Sequence, residues 1–145
     1  MFRNILLIFE NKQVLPEALV YTREFALRID AKVTFLMIIP MSFAGRTLLG
    51  SKRDIIRNIE IRVGKLLAEC LQSFIQHGIE VNSALKIGDP SQELMKFLAD
   101  RPPFQSIIWG SSRDLPSRGT NRHWLNTIVG NLECPLLTVN KRENP

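Results

Sequence analysis

Residues 4–40 read NILLIFENKQVLPEALVYTREFALRIDAKVTFLMIIP. Two stretches within it, Asn4–Phe9 (NILLIF) and Lys32–Ile39 (KVTFLMII), are apolar almost without a break. A strand with one face in water alternates apolar and polar residues. A continuous run instead marks a strand covered on both faces, as in a parallel sheet. Between the two runs, the polar Glu10–Gln13 segment makes a loop and Pro16 opens a helix, because the N–H that proline lacks is not needed in a first turn. Ala18, Leu19, Thr22, Phe25, Ala26 and Ile29 then line one face of that helix. Pro40 closes the second strand. Strand, amphipathic helix and strand in this order form the unit from which parallel sheets are built.

The same alternation continues down the chain. Met41–Lys52 (MSFAGRTLLGSK) has no period and reads as a long connection. From Asp54 the helical period returns, with Ile55, Ile59, Val63, Leu66, Leu67, Cys70, Leu71 and Phe74 at three- and four-residue steps and Gly78 as the stop. Ile79–Ile87 makes a third strand. In the compact turn Gly88-Asp-Pro, Asp89 caps and Pro90 starts a helix with Leu94, Phe97 and Leu98 facing inward, which Arg101-Pro-Pro103 ends. Gln105–Trp109 is a fourth buried strand, Trp124, Leu125, Ile128 and Val129 belong to a short last helix, and Leu136–Asn140 is a fifth strand. The expected architecture is α/β: a three-layer α/β/α sandwich with a five-stranded, mostly parallel sheet, in one domain spanning residues 1–145. No internal repeat or linker interrupts it.

Composition bounds the function. At 145 residues, 45% hydrophobic and 23% charged, the chain suits one soluble domain. No apolar stretch approaches the roughly 20 residues of a membrane span, and the N-terminus shows no cleavage-site pattern. Cys70 lies on an apolar stripe and Cys134 precedes a proline, so both read as reduced core thiols of a cytoplasmic protein. The net charge of +5 is modest and scattered, and the aromatics are not interleaved with basic residues, which argues against nucleic acid. No Cys/His/Asp/Glu set has metal spacing, and two histidines without a nucleophile elbow make no triad, so an enzyme is not expected. Gly45–Lys52 (GRTLLGSK) echoes the phosphate loop of NTPases, but its Ser-Lys order is reversed and no buried strand leads into it. His77, beside the helix-ending Gly78, reads as a partner of the C-terminal dipole. Lys52, Arg53, Arg57, Arg62 and Lys65 form a solvated face that an acidic partner could meet.

In sheets of this kind ligands bind outside the carboxyl ends of the strands, near the switch in strand order. Glu10, Pro40, Gly88 and Gly110 all lie just past strand ends, which points to the loop Gly110–Trp124 (GSSRDLPSRGTNRHW). Arg113, Arg118, Arg122 and His123, with Ser111, Ser112 and Ser117, could contact a phosphate through side chains, arginine forks being suited to it. The other reading is a solvated loop whose arginines face water. Trp124 either stacks on a base or lids the core.

These residues together resemble the universal stress protein family over nearly the whole chain. The likeness rests on ILLIFE (residues 5–10), the Gly88-Asp-Pro90 turn, the strand-to-loop step IIWGS (residues 107–111) and the ending Glu133-Cys-Pro-Leu-Leu-Thr-Val139, in this order. It implies an adenine nucleotide alpha hydrolase-like fold, a role in stress response or regulation, and a homodimer paired through the last strand. Family members that bind ATP carry Gly-x2-Gly-x9-Gly-Ser/Thr after the fourth strand, with an aspartate at the end of the first, near the adenosine. Glycines there let backbone N–H groups approach the phosphates. Here the first glycine is Gly110, the second falls on Arg113, and the third and the hydroxyl fall on His123 and Trp124. Counted back from Cys134-Pro135 they fall on Arg122 and His123, and Glu10 replaces the aspartate. The expectation is therefore a protein that does not hold ATP in the usual way and acts through a partner protein or an unidentified ligand. The alternative is an ATP, AMP or phosphate-ligand pocket made of Glu10, Gly88, Gly110, Ser111, Ser112, Arg113, Arg122 and His123.

Overall fold

The computed structural model describes residues 3–41, 49–113, 117–118 and 121–139, with the backbone alone at residues 49–51, 117–118 and 121–122. The elements run β1 (Asn4–Glu10), α1 (Pro16–Ile29), β2 (Lys32–Pro40), α2 (Leu49–Gln76), β3 (Val81–Gly88), α3 (Pro90–Ala99), β4 (Ser106–Trp109), β5 (Ser117–Arg118), β6 (Asn121–Arg122), α4 (Trp124–Ile128) and β7 (Leu136–Thr138). Five strands form one sheet in the order β3-β2-β1-β4-β7, and every pairing in it is parallel. The expected sandwich is what forms, with the sheet wholly parallel.

Both sheet faces are covered, which is why β1 and β2 do not alternate in polarity. Ile5, Leu7 and Phe9 with Val33, Phe35 and Met37 pack against α1 and α2. Leu6, Ile8, Leu36 and Ile38 pack on the other side against Leu94 and Phe97 of α3 and Leu125 of α4. On the first face Phe9, Phe35 and Phe74 meet edge to face, with ring centroids 5.6 and 5.0 Å apart, a preferred geometry for aromatic pairs.

The local signals act where the sequence puts them. Pro16 stands in the first turn of α1. Asp89 accepts a hydrogen bond from the Gln92 N–H at 3.1 Å and caps α3. Gly78 ends α2 with φ of +77°, a conformation glycine adopts without the steric cost other residues meet.

Two expectations need correction. The connection Met41–Lys52 is shorter than its lack of period suggests, because α2 already begins at Leu49, ahead of Asp54. Ile55 does not face the core but is 46% exposed, and Val63 is the first buried residue of this helix among those described. The reason is length: 28 residues of helix span about 42 Å, whereas the nine residues of β2 span about 30 Å, so the helix overhangs the sheet. The apolar period continues into a stretch with no sheet beneath it. Of the GRTLLGSK echo, residues 45–48 lie outside the described part of the chain and Leu49–Lys52 open α2.

Candidate functional site

The strand order reverses between β1 and β4: from β1 the chain builds outward through β2 and β3, then returns to the other side of β1. The carboxyl ends of these two strands frame the expected binding place. After β1, Asn11 and Lys12 adopt φ of +54° and +66°, and the Gln13 N–H closes the turn on the Glu10 carbonyl at 3.0 Å. Two successive left-handed residues are the mark of a mirror-image tight turn. The turn is pinned from beneath, the Asn11 N–H donating to the Ile38 carbonyl at 2.9 Å.

After β4, Gly110 is wedged against β1. Its N–H donates to the Ile8 carbonyl at 2.7 Å, and its carbonyl accepts from the Leu15 N–H at 2.8 Å. A Cβ there would lie 2.7 Å from Phe9 and 2.8 Å from Leu7, both fully buried. Glycine at 110 is thus required by close packing of loop on strand, whatever the loop binds. The Ser111 Oγ accepts from the Glu10 N–H at 2.6 Å and donates to the Gln13 carbonyl at 2.7 Å, fastening the two loops. The Ser112 Oγ accepts from the Trp109 indole at 2.9 Å. Arg113 pairs with Glu17 of α1 at 2.6 Å, both about half exposed. Such surface pairs contribute about 0–1 kcal/mol.

The remaining wall comes from α4. His123 caps this helix, its Nδ1 accepting from the Leu125 N–H at 3.1 Å. That bond leaves the ring hydrogen on Nε2, which donates to Glu10 Oε1 at 2.8 Å. The Trp124 indole donates to Glu10 Oε2 at 3.0 Å. Trp109, 1% exposed, forms the floor, with its ring edge-on to His123 and Trp124 at centroid distances of 4.7 and 6.3 Å.

The sequence-predicted residues are therefore brought together only in part. Glu10, Gly110, Ser111, Ser112 and His123 meet at the β1/β4 switch. Arg113 turns to α1. Gly88 lies at the end of β3, two strands from β1 or about 10 Å; it borders an open groove of about 510 Å³ with Met41, Asp89, Gln92 and Glu93. The side chains of Ser117, Arg118 and Arg122 lie outside the described part of the chain, though their backbones form a small antiparallel hairpin, β5 with β6, that sequence reading missed. Reading by sequence also missed the contact of Glu10 with Trp124. Trp124 packs against the core cluster as a lid would, and its indole N–H also holds a carboxylate.

Several of the described groups already have partners within the protein. The Gly110 N–H, Ser111 and Ser112 are each engaged within the protein, and Gly110 serves packing. Among the described residues no three His, Cys, Asp or Glu side chains gather as metal ligands, and no helix is long and apolar enough to cross a membrane. Burial pushes the Cys70 and Cys134 thiols above their ordinary pKa, with Glu69 and Glu133 adding to the effect. Both thiols are free.

No family model matches the sequence, and no curated protein matches it. Solved structures do. The chain is similar to the universal stress protein UspA from Lactobacillus plantarum, with a TM-score of 0.74 at 17% identity, over 96% of this chain and 98% of that one. The chain has the universal stress protein fold. A universal stress protein family member from Burkholderia pseudomallei superposes with a TM-score of 0.67 at 16% identity, over 95% of this chain and 96% of that one. A universal stress protein family protein from Arabidopsis thaliana, solved with AMP bound, superposes at 0.58 and 17% identity, over 97% of this chain and 93% of that one. With the universal stress protein fold as the frame, the strand-end site of this chain holds Glu10 hydrogen-bonded to both His123 and Trp124.

Proposed function

We propose that this chain is a universal stress protein-type regulator that works by binding and not by catalysis, and that does not hold ATP through the usual glycine-rich loop. The observation that carries this reading is the engagement of Glu10: both carboxylate oxygens already accept hydrogen bonds from His123 and Trp124. The two serines that follow Gly110 support it, since each is bonded to a neighbouring loop or strand. On this reading the protein acts in the cytoplasm through a partner protein, as a homodimer paired along β7. That strand is one of the two edges of the sheet, β3 being the other, and an edge left bare is a template for pairing.

Thermal unfolding with ATP, ADP, AMP, cyclic nucleotides and inorganic phosphate tests the ligand half of the proposal. No shift with any of them is the expected result. A ligand at about a hundred times its dissociation constant adds roughly 2.7 kcal/mol, several degrees for a domain of this size, and ATP doing so would overturn it. Light scattering at micromolar concentration tests the dimer, which a monomeric mass would refute.

One observation favours a second reading, an AMP or ATP binder that uses arginine and serine side chains: the Arabidopsis thaliana neighbour was solved with AMP bound. That reading requires stabilisation by AMP that is lost in Arg113→Ala.

A further inference from the structure

Glu10 ends β1 beside the strand-order switch, and one short segment meets both of its carboxylate oxygens. The Nε2–H of His123 takes Oε1 at 2.8 Å and the Nε1–H of Trp124 takes Oε2 at 3.0 Å. The tautomer follows from the Leu125 N–H on Nδ1, so the imidazole donates as a neutral ring. Two adjacent neutral donors, one on each oxygen of one carboxylate, are the pattern a vicinal diol presents. In dinucleotide-binding sheets an acid reads the ribose hydroxyls by the same chemistry.

We propose that His123 and Trp124 are an intramolecular stand-in for a vicinal diol, a latch that occupies Glu10 and keeps ribose-bearing ligands from it. The proposal deepens the reading that this chain does not hold ATP in the usual way: the acid is retained, and its oxygens are engaged from within.

The surroundings fit a latch better than a core element. Glu10 and His123 keep side-chain exposures of 19% and 7%, so the pair borders solvent. The segment that carries the donors is short, α4 having five residues, of which Leu125 is the buried anchor. Besides the core packing of Leu125, Trp124 and Ile128, the segment is held by the two bonds to Glu10 and by the edge-on contact of His123 and Trp124 with Trp109. Hydrogen bonds to an ionised carboxylate are about twice as strong as neutral ones, and a ligand at Glu10 must break two. A diol restores both, whereas a single hydroxyl leaves one oxygen without a donor in a partly dry place.

Adenosine is the probe, because it carries the diol without phosphates. Calorimetric titration of the His123→Ala/Trp124→Phe chain is expected to show at least tenfold tighter binding of adenosine than the unmodified chain shows. The gain is expected to be lost for 2′-deoxyadenosine and on adding Glu10→Ala. Equal affinity for adenosine in latched and unlatched chains would overturn the proposal, as would an equal gain for the deoxynucleoside. If circular dichroism shows the double variant unfolded, Trp124→Phe alone, which keeps a ring and removes only the donor, is held to the same criterion at threefold. The two tryptophans of the chain both sit in this cluster, so in the unlatched chains the remaining indole emission must change with the same affinity. Failure of the wider reading looks different. ATP stabilising the unmodified chain would refute that reading while the latch stands if the variant binds tighter still. No binding by either chain would leave the reading intact and refute the latch.

Discussion

Gly110→Ala separates two reasons for a glycine at this place, phosphate approach and packing. The added Cβ would sit 2.7 Å from Phe9 Cε1, 2.8 Å from Leu7 Cδ1 and 2.9 Å from Phe9 Cδ1. Neither neighbour has slack: both are fully buried, and the Phe9 ring stands edge-on to Phe35 at 86°. The backbone cannot retreat either, because hydrogen bonds to Ile8 and from Leu15 hold the Gly110 peptide on both sides. Overpacking of a filled core costs typically 1–3 kcal/mol, and this geometry points to the upper part, about 2–3 kcal/mol. For a domain of this size that is a fall in Tm of about 5–10 °C. The assay is thermal unfolding by circular dichroism with no nucleotide present. Gly64→Ala is the control: no atom lies within 4 Å of its added Cβ in mid-helix, so it is expected to gain up to about 1 kcal/mol. A Gly110→Ala chain melting within about 1 °C of the parent would refute the packing argument, leaving a ligand as the reason for the glycine.

Three further outcomes follow from the same structure. Asp89→Ala removes the acceptor of the Gln92 N–H and is expected to cost about 1 kcal/mol in denaturant unfolding; an unchanged midpoint would mean water replaces the cap. Thr22 Oγ1 on α1 is buried without a hydrogen-bond partner among the described residues, so Thr22→Val is expected to be neutral or stabilising by about 1 kcal/mol, and a loss of that size would show an unseen partner. The Cys70 and Cys134 thiols are raised mainly by burial, so both are expected to react with a disulfide reagent more slowly than free cysteine at every pH, until denaturant exposes them. The unfolded thiols ionise first as pH rises, so stability is full below the ordinary thiol pKa of about 8.5 and declines above it. A rapidly titrating thiol at neutral pH, or stability rising through that range, would contradict the burial.

The sequence by itself determined the order of elements and the layering, because those are written in local periods and short-range stops. Continuous apolar runs at Asn4–Phe9 and Lys32–Ile39 require cover on both faces, and Pro16, Gly78 and Asp89 act within a turn of where they stand. The strand-end position of Glu10 was legible for the same reason. The start of α2 was not, since an overhanging helix carries apolar residues such as Ile55 that no sheet meets. Nor was the hairpin of β5 and β6, whose two-residue strands are too short to show a period.

The site itself was decided by tertiary structure. Glu10 and His123 lie 113 residues apart and meet only because the sheet places β4 beside β1. Spacing along the chain could say that a histidine and a tryptophan stand where a glycine and a hydroxyl are expected. Only the fold could say that their donors would close on one carboxylate, because a hydrogen bond depends on positions within a few tenths of an ångström, and those are set by how the layers pack.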